Sequence, residues 1–325
     1  MRDGDRILIT GAGSFATEMS KYLMLKEHPH AIMLVSRNEF QQHETRTKLE
    51  KWDTRNVMRY VIGDVCDEHL MRTLVKTSDY VIHSAALKRV NDMEYNPRPA
   101  IMTNVLGTLN VAQACVEAGP LIKRAIYLDT DKSVHPINLY GFTKGLGAMA
   151  WLATNSVSTP YAPLFSVVRY GNVMGSRGSV LPYFVSIKER GETVYPVTHP
   201  DATRFWVSFE QACKMVHVAM DGEPDTIYVP KVKAFSVVDL CRALYQRAEI
   251  QNIGLRPGEK VHEELIRADE ECYEFKDHYK ILPFRHFDRK VEGKRYEGTL
   301  QSKTAAKLLQ GDIRSLIDEF KNECA

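Results

Sequence analysis

Six short runs rich in Val, Ile and Leu, namely RILIT, AIMLVS, MRYVIGD, DYVIHSA, AIYLD and FSVVRYG, lie between residues 6 and 171. Stretches of helical length separate them, among them 15–26, 67–76, 99–118 and 140–153. Runs this short that are apolar along their whole length read as strands with both faces covered, not as half-exposed strands. A chain that alternates such strands with helices has few ways to bury them. The strands pair in parallel, the helices cross over both faces, and the expectation is an α/β, Rossmann-type doubly wound sheet. After Arg169 the pattern loosens into Gly- and Pro-bearing loops, with a helix near 207–221, a strand TIYVP, a helix near 235–248 and helical spacing in the last twenty residues. We therefore expect residues 1–172 to form a dinucleotide-binding domain that also receives about 206–248. Residues 173–205 and 249–325 then form a smaller C-terminal substrate-binding domain.

Sheets of this kind bind ligands beyond the carboxyl ends of their strands. The loop after the first strand reads Gly11-Ala12-Gly13-Ser14-Phe15-Ala16. Glycines there let the backbone approach a pyrophosphate, and the free N–H groups and dipole of the following helix favour negative charge. The second strand ends in Ser36-Arg37 rather than in an acid for a ribose 2′-hydroxyl. A guanidinium forks onto a 2′-phosphate, so NADP is expected, with NAD possible. Asp64-Val65 closes the third strand, where a carboxylate can meet the adenine amino group, and Ala85-Ala86 closes the fourth with room for the dinucleotide.

The fifth strand runs into LDTDKSVHPINLYGFTK, residues 128–144. Tyr140 and Lys144 lie one helical turn apart and share a face. A lysine ammonium, together with a cationic nicotinamide, lowers a phenol pKa toward that of a working base. Spacing alone is no evidence, because Tyr22 and Lys26 repeat it on the first helix with no acidic or hydroxyl partner nearby. Position at the sheet edge separates the two pairs.

Composition narrows the partners. Lys plus Arg number 43 against 41 for Asp plus Glu, so no global field points to nucleic acid or an anionic membrane. The six cysteines have neither C-x-x-C pairs nor metal spacing, and no metal is expected. No apolar run reaches about 18 residues, and MRDGDRILIT passes straight into a strand, which gives a cytoplasmic expectation.

The Gly loop, Asp64, the Ala-Ala turn, Asn104 and Thr130/Tyr140/Lys144 together resemble the extended short-chain dehydrogenase/reductase family. More closely, AALKRV, EYNPRPAIMTNVLGT, TDKSVHPINLYGFTK, VVRYGNVMGSRGSVLPYF, TRFW and GLRPGEKVHEE resemble soluble UDP-N-acetylglucosamine 4,6-dehydratases, notably the C5-inverting enzymes of flagellin-sugar biosynthesis. The blocks run in order from residue 7 to about residue 282.

The resemblance implies a hydro-lyase. Tyr140 takes the O4 proton while C4 is oxidised, and the new ketone acidifies C5. Lys132, kept partly neutral by burial beside other cations, is then the expected base at C5, and Asp131 the acid that protonates the departing C6 hydroxyl. Thr130 is the hydroxyl member of the set, and Asn104 and Lys88 lie near cofactor or sugar. For UDP-N-acetylglucosamine, Arg204 and Arg256 are the diphosphate candidates, Glu259 the acceptor of ribose hydroxyls, and Asn172 and Val180 line the nucleotide. His83, His135 and His262 read as packing or loop residues. Related dehydratases that carry Thr-Asp-Glu differ at Lys132.

Two departures bear on this expectation. The phosphate loop is one residue shorter than the family's and ends in Ala16, and Asp129 stands where serine is common, a carboxylate expected to raise the Lys132 pKa. Rival readings are a UDP-hexose 4-epimerase, which has no use for an Asp-Lys pair, a 5,6-dehydratase that stops at the alkene, and a non-catalytic NADP sensor. Apolar residues on more than one face of 99–118 and 140–153 (Ile101, Val105, Leu109 and Val111; Leu146, Met149, Trp151 and Leu152) lead us to expect a homo-oligomer built on a four-helix contact.

Overall fold

A computed structural model describes residues 3–157, 164–283 and 291–324. The six runs form six parallel strands: β1 (Arg6–Thr10), β2 (Ala31–Ser36), β3 (Met58–Ile62), β4 (Tyr80–His83), β5 (Arg124–Thr130) and β6 (Leu164–Tyr170). Their spatial order is β3-β2-β1-β4-β5-β6, with the order reversing between β1 and β4. Side-chain alternation splits the core between the two faces of this sheet. Leu8, Val81, Ala125 and Tyr127 join one apolar cluster, while Ile7, Ile9, Tyr80, Ile82, Ile126 and Leu128 join the other. Helix α1 (Ser14–Lys26) packs on the second face through Ala16, Met19 and Leu23.

Beyond β6 the sheet takes up the expected TIYVP strand and then three strands that the sequence pattern does not announce. Ile227–Pro230 pairs parallel to β6, and His278–Leu282, Glu271–Glu274 and Lys294–Tyr296 then add antiparallel strands, making ten in all among the described residues. A third apolar cluster gathers Leu181, Phe184, Tyr195, Trp206, Phe235, Leu240 and Ile313. It draws on helices Val180–Glu189, Val237–Leu244 and Gln310–Cys324.

The stretch expected as one helix over 99–118 is interrupted. Helix Pro97–Ile101 passes through a π-helical turn, Met102–Leu106, into helix Gly107–Ala118. The turn holds buried Asn104, whose side chain receives the Leu87 N–H at 2.8 Å and donates to the Leu87 carbonyl at 3.0 Å. Both backbone groups after β4 are thus satisfied by one amide, which explains why the irregular turn is tolerated. Among the described residues no helix is long and apolar enough to cross a membrane, and no cluster of three His, Cys, Asp or Glu residues is placed to hold a metal ion.

Candidate active site

Every strand that feeds the site ends at the same sheet edge. At β1 the chain leaves through Gly11 at φ +90°, its N–H held by the Val35 carbonyl at 2.7 Å. A Cβ there would lie 3.2 Å from the Ala85 Cα, so only glycine lets the two loops meet. Thr10 ties them: its hydroxyl meets His83 Nδ1 at 2.7 Å and receives the N–H groups of Ser84 and Ala85 at 3.1 and 3.2 Å. Gly13 caps α1 without a side-chain bond, no acid stands in the first turn, and a Cβ on Gly13 would meet nothing within 4 Å. This open, positively polarised helix start fits a pyrophosphate. Ala16, in place of the family's last glycine, is buried against the sheet, so the helix packs closely with a methyl present.

The ribose end of the site is already paired. Arg37 Nη1 lies 3.3 Å from Asp64 Oδ2, both side chains being partly exposed. Ser36 Oγ accepts from Gln42, and Val65 is buried under Gly107. Across the loop, the backbone N–H of Arg177 donates to Ser14 Oγ at 3.2 Å and its guanidinium pairs with Glu44, so the segment after β6 lies over the phosphate loop. Lys88, beyond the Ala85-Ala86 turn, is exposed.

The five residues expected to carry the chemistry come from three consecutive elements. β5 delivers Thr130 and a 3₁₀ turn, Asp131–Ser133; helix Leu139–Val157 brings Tyr140 and Lys144 beside them. Gly141 sets their spacing, because a Cβ at that position would come within 2.1 Å of the Lys132 carbonyl oxygen. Asp131 is fully buried, and its Oδ1 accepts from Thr130 Oγ1 and Lys132 Nζ, each at 3.1 Å. Lys132 Nζ also donates to Asn172 Oδ1 at 3.1 Å and pairs with Glu263 Oε1 at 2.9 Å.

Electrostatics correct two expectations. Burial opposes the Lys132 charge, but Asp131 and Glu263 outweigh it and hold the ammonium above its ordinary pKa, so the side chain is not partly neutral. The residue that raises it is Glu263 with Asp131, whereas Asp129 turns away to Arg169 Nε at 3.1 Å and Ser133 Oγ at 2.7 Å. Tyr140 is not lowered either: burial pushes its phenol up to about 12, against the pull of Lys132 and of the Thr130 hydroxyl. Lys144 contributes differently from the expectation, since its Nζ donates to the Leu128 carbonyl at 2.5 Å and lies 3.9 Å over the Tyr127 ring. Burial raises Asp131, with Glu263 adding to the rise against Lys132, while Glu263 is held low by Lys132 and Arg204 despite its burial.

Burial also lowers Lys144, to about 8 from 10.5, with Asp129 opposing. Between those values the unfolded chain binds the proton that the folded chain has lost, so this site adds stability as pH rises from about 8 to about 10.5 and penalises the fold below that window. The stability of the protein relative to Lys144→Met is expected to grow across that window, read by denaturant unfolding at each pH. A difference that stays flat would remove the shift.

The substrate-side residues are brought together in pairs. Arg204 is buried, its guanidinium bonded to the Thr203 and Val261 carbonyls, with Glu259 Oε1 at 2.9 Å and Glu263 Oε1 at 3.9 Å. The Glu259 carboxylate also receives the Thr198 hydroxyl at 3.0 Å and the Arg256 N–H at 3.4 Å, while the Arg256 side chain is exposed. Val180 begins a helix at the rim. His83, neutral because burial lowers its pKa to about 3, bridges Thr10 and Thr108 as a packing residue, and the Tyr22 phenol is raised by burial. Glu263 and Gly141 were not singled out from the sequence. Glu263 stands inside GLRPGEKVHEE, but no local signal separates it from its neighbour Glu264.

Comparison with known proteins places the family and the fold. The family described as polysaccharide biosynthesis protein matches residues 7–284. A Campylobacter jejuni protein named UDP-N-acetylglucosamine 4,6-dehydratase (inverting) is 40% identical over 290 residues, spanning 87% of this chain and 84% of that protein. A Rickettsia conorii protein named UDP-glucose 4-epimerase is 35% identical, spanning 85% and 82%. The X-ray structure of Pen from Bacillus thuringiensis superposes with a TM-score of 0.87 at 29% identity, covering 98% of both chains. The resemblance and the doubly wound fold read from the sequence are both borne out.

Proposed function

We propose that this chain, which belongs to the polysaccharide biosynthesis protein family, is an NADP-dependent UDP-N-acetylglucosamine 4,6-dehydratase that inverts C5. The observation that carries the reading is the pair of buried Asp131 and partly buried Lys132 set beside Tyr140. Oxidation at C4 needs only a phenol and a dinucleotide, so an additional buried acid and cation imply a second step. Residues of the Gly loop would hold a nicotinamide dinucleotide, which when bound would supply reversible hydride chemistry at C4 and C6. Tyr140 receives the O4 proton, helped by Lys132 and the Thr130 hydroxyl, which both act to lower the cost of phenolate. Asp131, whose carboxyl is raised by burial, is the acid placed to protonate the departing C6 hydroxyl.

For the cofactor, Gly11, Gly13, Ser14, Phe15 and Ala16 would hold the pyrophosphate, with Asn104 fixing the Leu87 backbone beside it. Arg37 would turn from Asp64 to a 2′-phosphate, which favours NADP over NAD, and Arg177 over Ser14 favours slow release. The sugar nucleotide would lie along Lys88, Asn172, Val180, Arg204, Arg256 and Glu259, with Arg204 and Glu259 parting to take diphosphate and ribose. Exposed Ile101, Leu109, Leu146 and Met149, unlike buried Val105, Val111, Trp151 and Leu152, form an apolar surface suited to a second copy, which sedimentation at micromolar concentration would detect.

A 4-epimerase is the second reading. It is favoured by the charged state of Lys132, which an epimerase has no need to discharge, and by the Rickettsia relative's name. Incubation with UDP-N-acetylglucosamine in heavy water, followed by mass and NMR of the product, separates the two. Loss of one water, a C4 ketone and inverted, deuterated C5 are expected; an isomer of unchanged mass would establish the epimerase instead.

A further inference from the structure

The Lys132 ammonium lies between two carboxylates from distant parts of the chain, Asp131 at 3.1 Å and Glu263 at 2.9 Å. Glu263 is 2% exposed, and its second oxygen, Oε2, is buried with no hydrogen-bond partner among the described residues. Arg204 Nε stands 3.9 Å from its other oxygen. Nothing in the reaction as derived so far uses this carboxylate. A buried acid with one free oxygen is costly unless it has work to do or a charge to hold.

The placement meets a difficulty in the chemistry. A base at C5 must have room for a proton, and an ammonium has none. It can accept one only after giving one up, and Glu263, at 2.9 Å and held ionised by two cations, is placed to receive it. We propose that Glu263 is the terminal acceptor of the C5 proton, with Lys132 as the relay. Nζ first gives one of its three protons to Glu263 Oε1, and the lone pair so freed then takes the proton from C5. The C–H electron pair stays on the sugar and spreads onto the C4 ketone oxygen. Lys132 is an ammonium again, Glu263 becomes neutral, and its negative charge has moved to the enolate. Asp131 then gives its proton to the C6 hydroxyl, the C6–O bond breaks, and water leaves.

The two carboxylates are suited to these different parts. Asp131 has one cation beside it and a like charge near, so it tends to keep a proton; Glu263 faces two cations and tends to be ionised. Glu263 acts through Lys132 and needs no contact with the sugar. The inference rests on the dehydratase reading above, since an epimerase never breaks the C5–H bond.

Glu263→Gln keeps the size and the bond to Lys132 but cannot take a proton. With UDP-N-acetylglucosamine in heavy water, this variant should still form enzyme-bound reduced nicotinamide, followed by near-ultraviolet absorbance. Water loss and deuterium uptake at C5 should both fall by at least about 100-fold. Glu263→Asp, whose shorter acid can still be protonated, should recover part of both, and it serves if the glutamine variant does not fold. The inference is overturned if the glutamine variant eliminates water at the unaltered rate, or if in either variant nicotinamide reduction slows as much as elimination. If the unaltered protein itself releases no water, the dehydratase reading falls and takes this inference with it. If it does and the variant keeps pace, only the inference falls.

Discussion

Tyr140→Phe is expected to lower turnover of UDP-N-acetylglucosamine by about 10³-fold, the middle of the range for loss of a positioned proton acceptor. The partly buried phenol is pushed up to about 12 by desolvation, so no standing pool of phenolate is expected at neutral pH. Its own proton leaves to solvent before that of O4 is taken up, and Thr130 and Lys132 are the groups placed to lower the cost of the phenolate. Phenylalanine fills the same space and leaves nothing to carry the proton. The variant should therefore show no reduced nicotinamide when substrate is added, while its unfolding free energy changes by only about 1 kcal/mol, the ordinary net value of one hydrogen bond. Single-turnover absorbance together with denaturant unfolding reads both quantities. Retained oxidation in the variant would transfer the role to Thr130 and undo the assignment.

Gly141→Ala is expected to cost about 3 kcal/mol, at the top of the range for overpacking, and to reduce activity at least about 100-fold. A methyl at this position would lie 2.1 Å from the Lys132 carbonyl oxygen and 3.0 Å from the Pro136 Cβ. Neither neighbour is the end of a flexible side chain, so either the helix or the turn Asp131–Ser133 must move. A shift of about 1 Å there carries Lys132 away from Glu263 and Asn172. Gly145→Ala, one turn on, is the control. Its methyl would rest at an ordinary 3.4 Å from the Ser133 carbonyl, and removing a glycine from a helix interior should stabilise by up to about 1 kcal/mol. Equal effects at the two positions would show that helix propensity, not the approach to Lys132, governs this site.

Much of the fold and part of the site can be read along the chain. The six runs become β1 to β6 because an apolar strand between helices carries its own instructions: side-chain period, length and the turn residues that end it. The Gly loop and the Tyr140 helix start are legible for the same reason, being short local arrangements at strand ends. The strands 271–274, 278–282 and 294–296 are not, since their charged and aromatic residues carry no clear alternation and their pairing partners are chosen only when the sheet edge is present. The break of 99–118 at a π-helical turn is also hidden, because the demand comes from the Leu87 backbone and not from the helix itself.

The amino-acid sequence by itself determined which residues stand at the carboxyl edge of the sheet, because strand ends and loops follow from local pattern. Only the tertiary structure decided which charges meet there: Glu263 with Lys132, Glu259 with Arg204, Asp64 with Arg37, and Asp129 with Arg169. Ionisation depends on burial and on neighbours a few ångströms away. Lys132 is held as a cation by Asp131 beside it and by Glu263, a carboxylate remote in the chain that no reading of the neighbouring residues supplies.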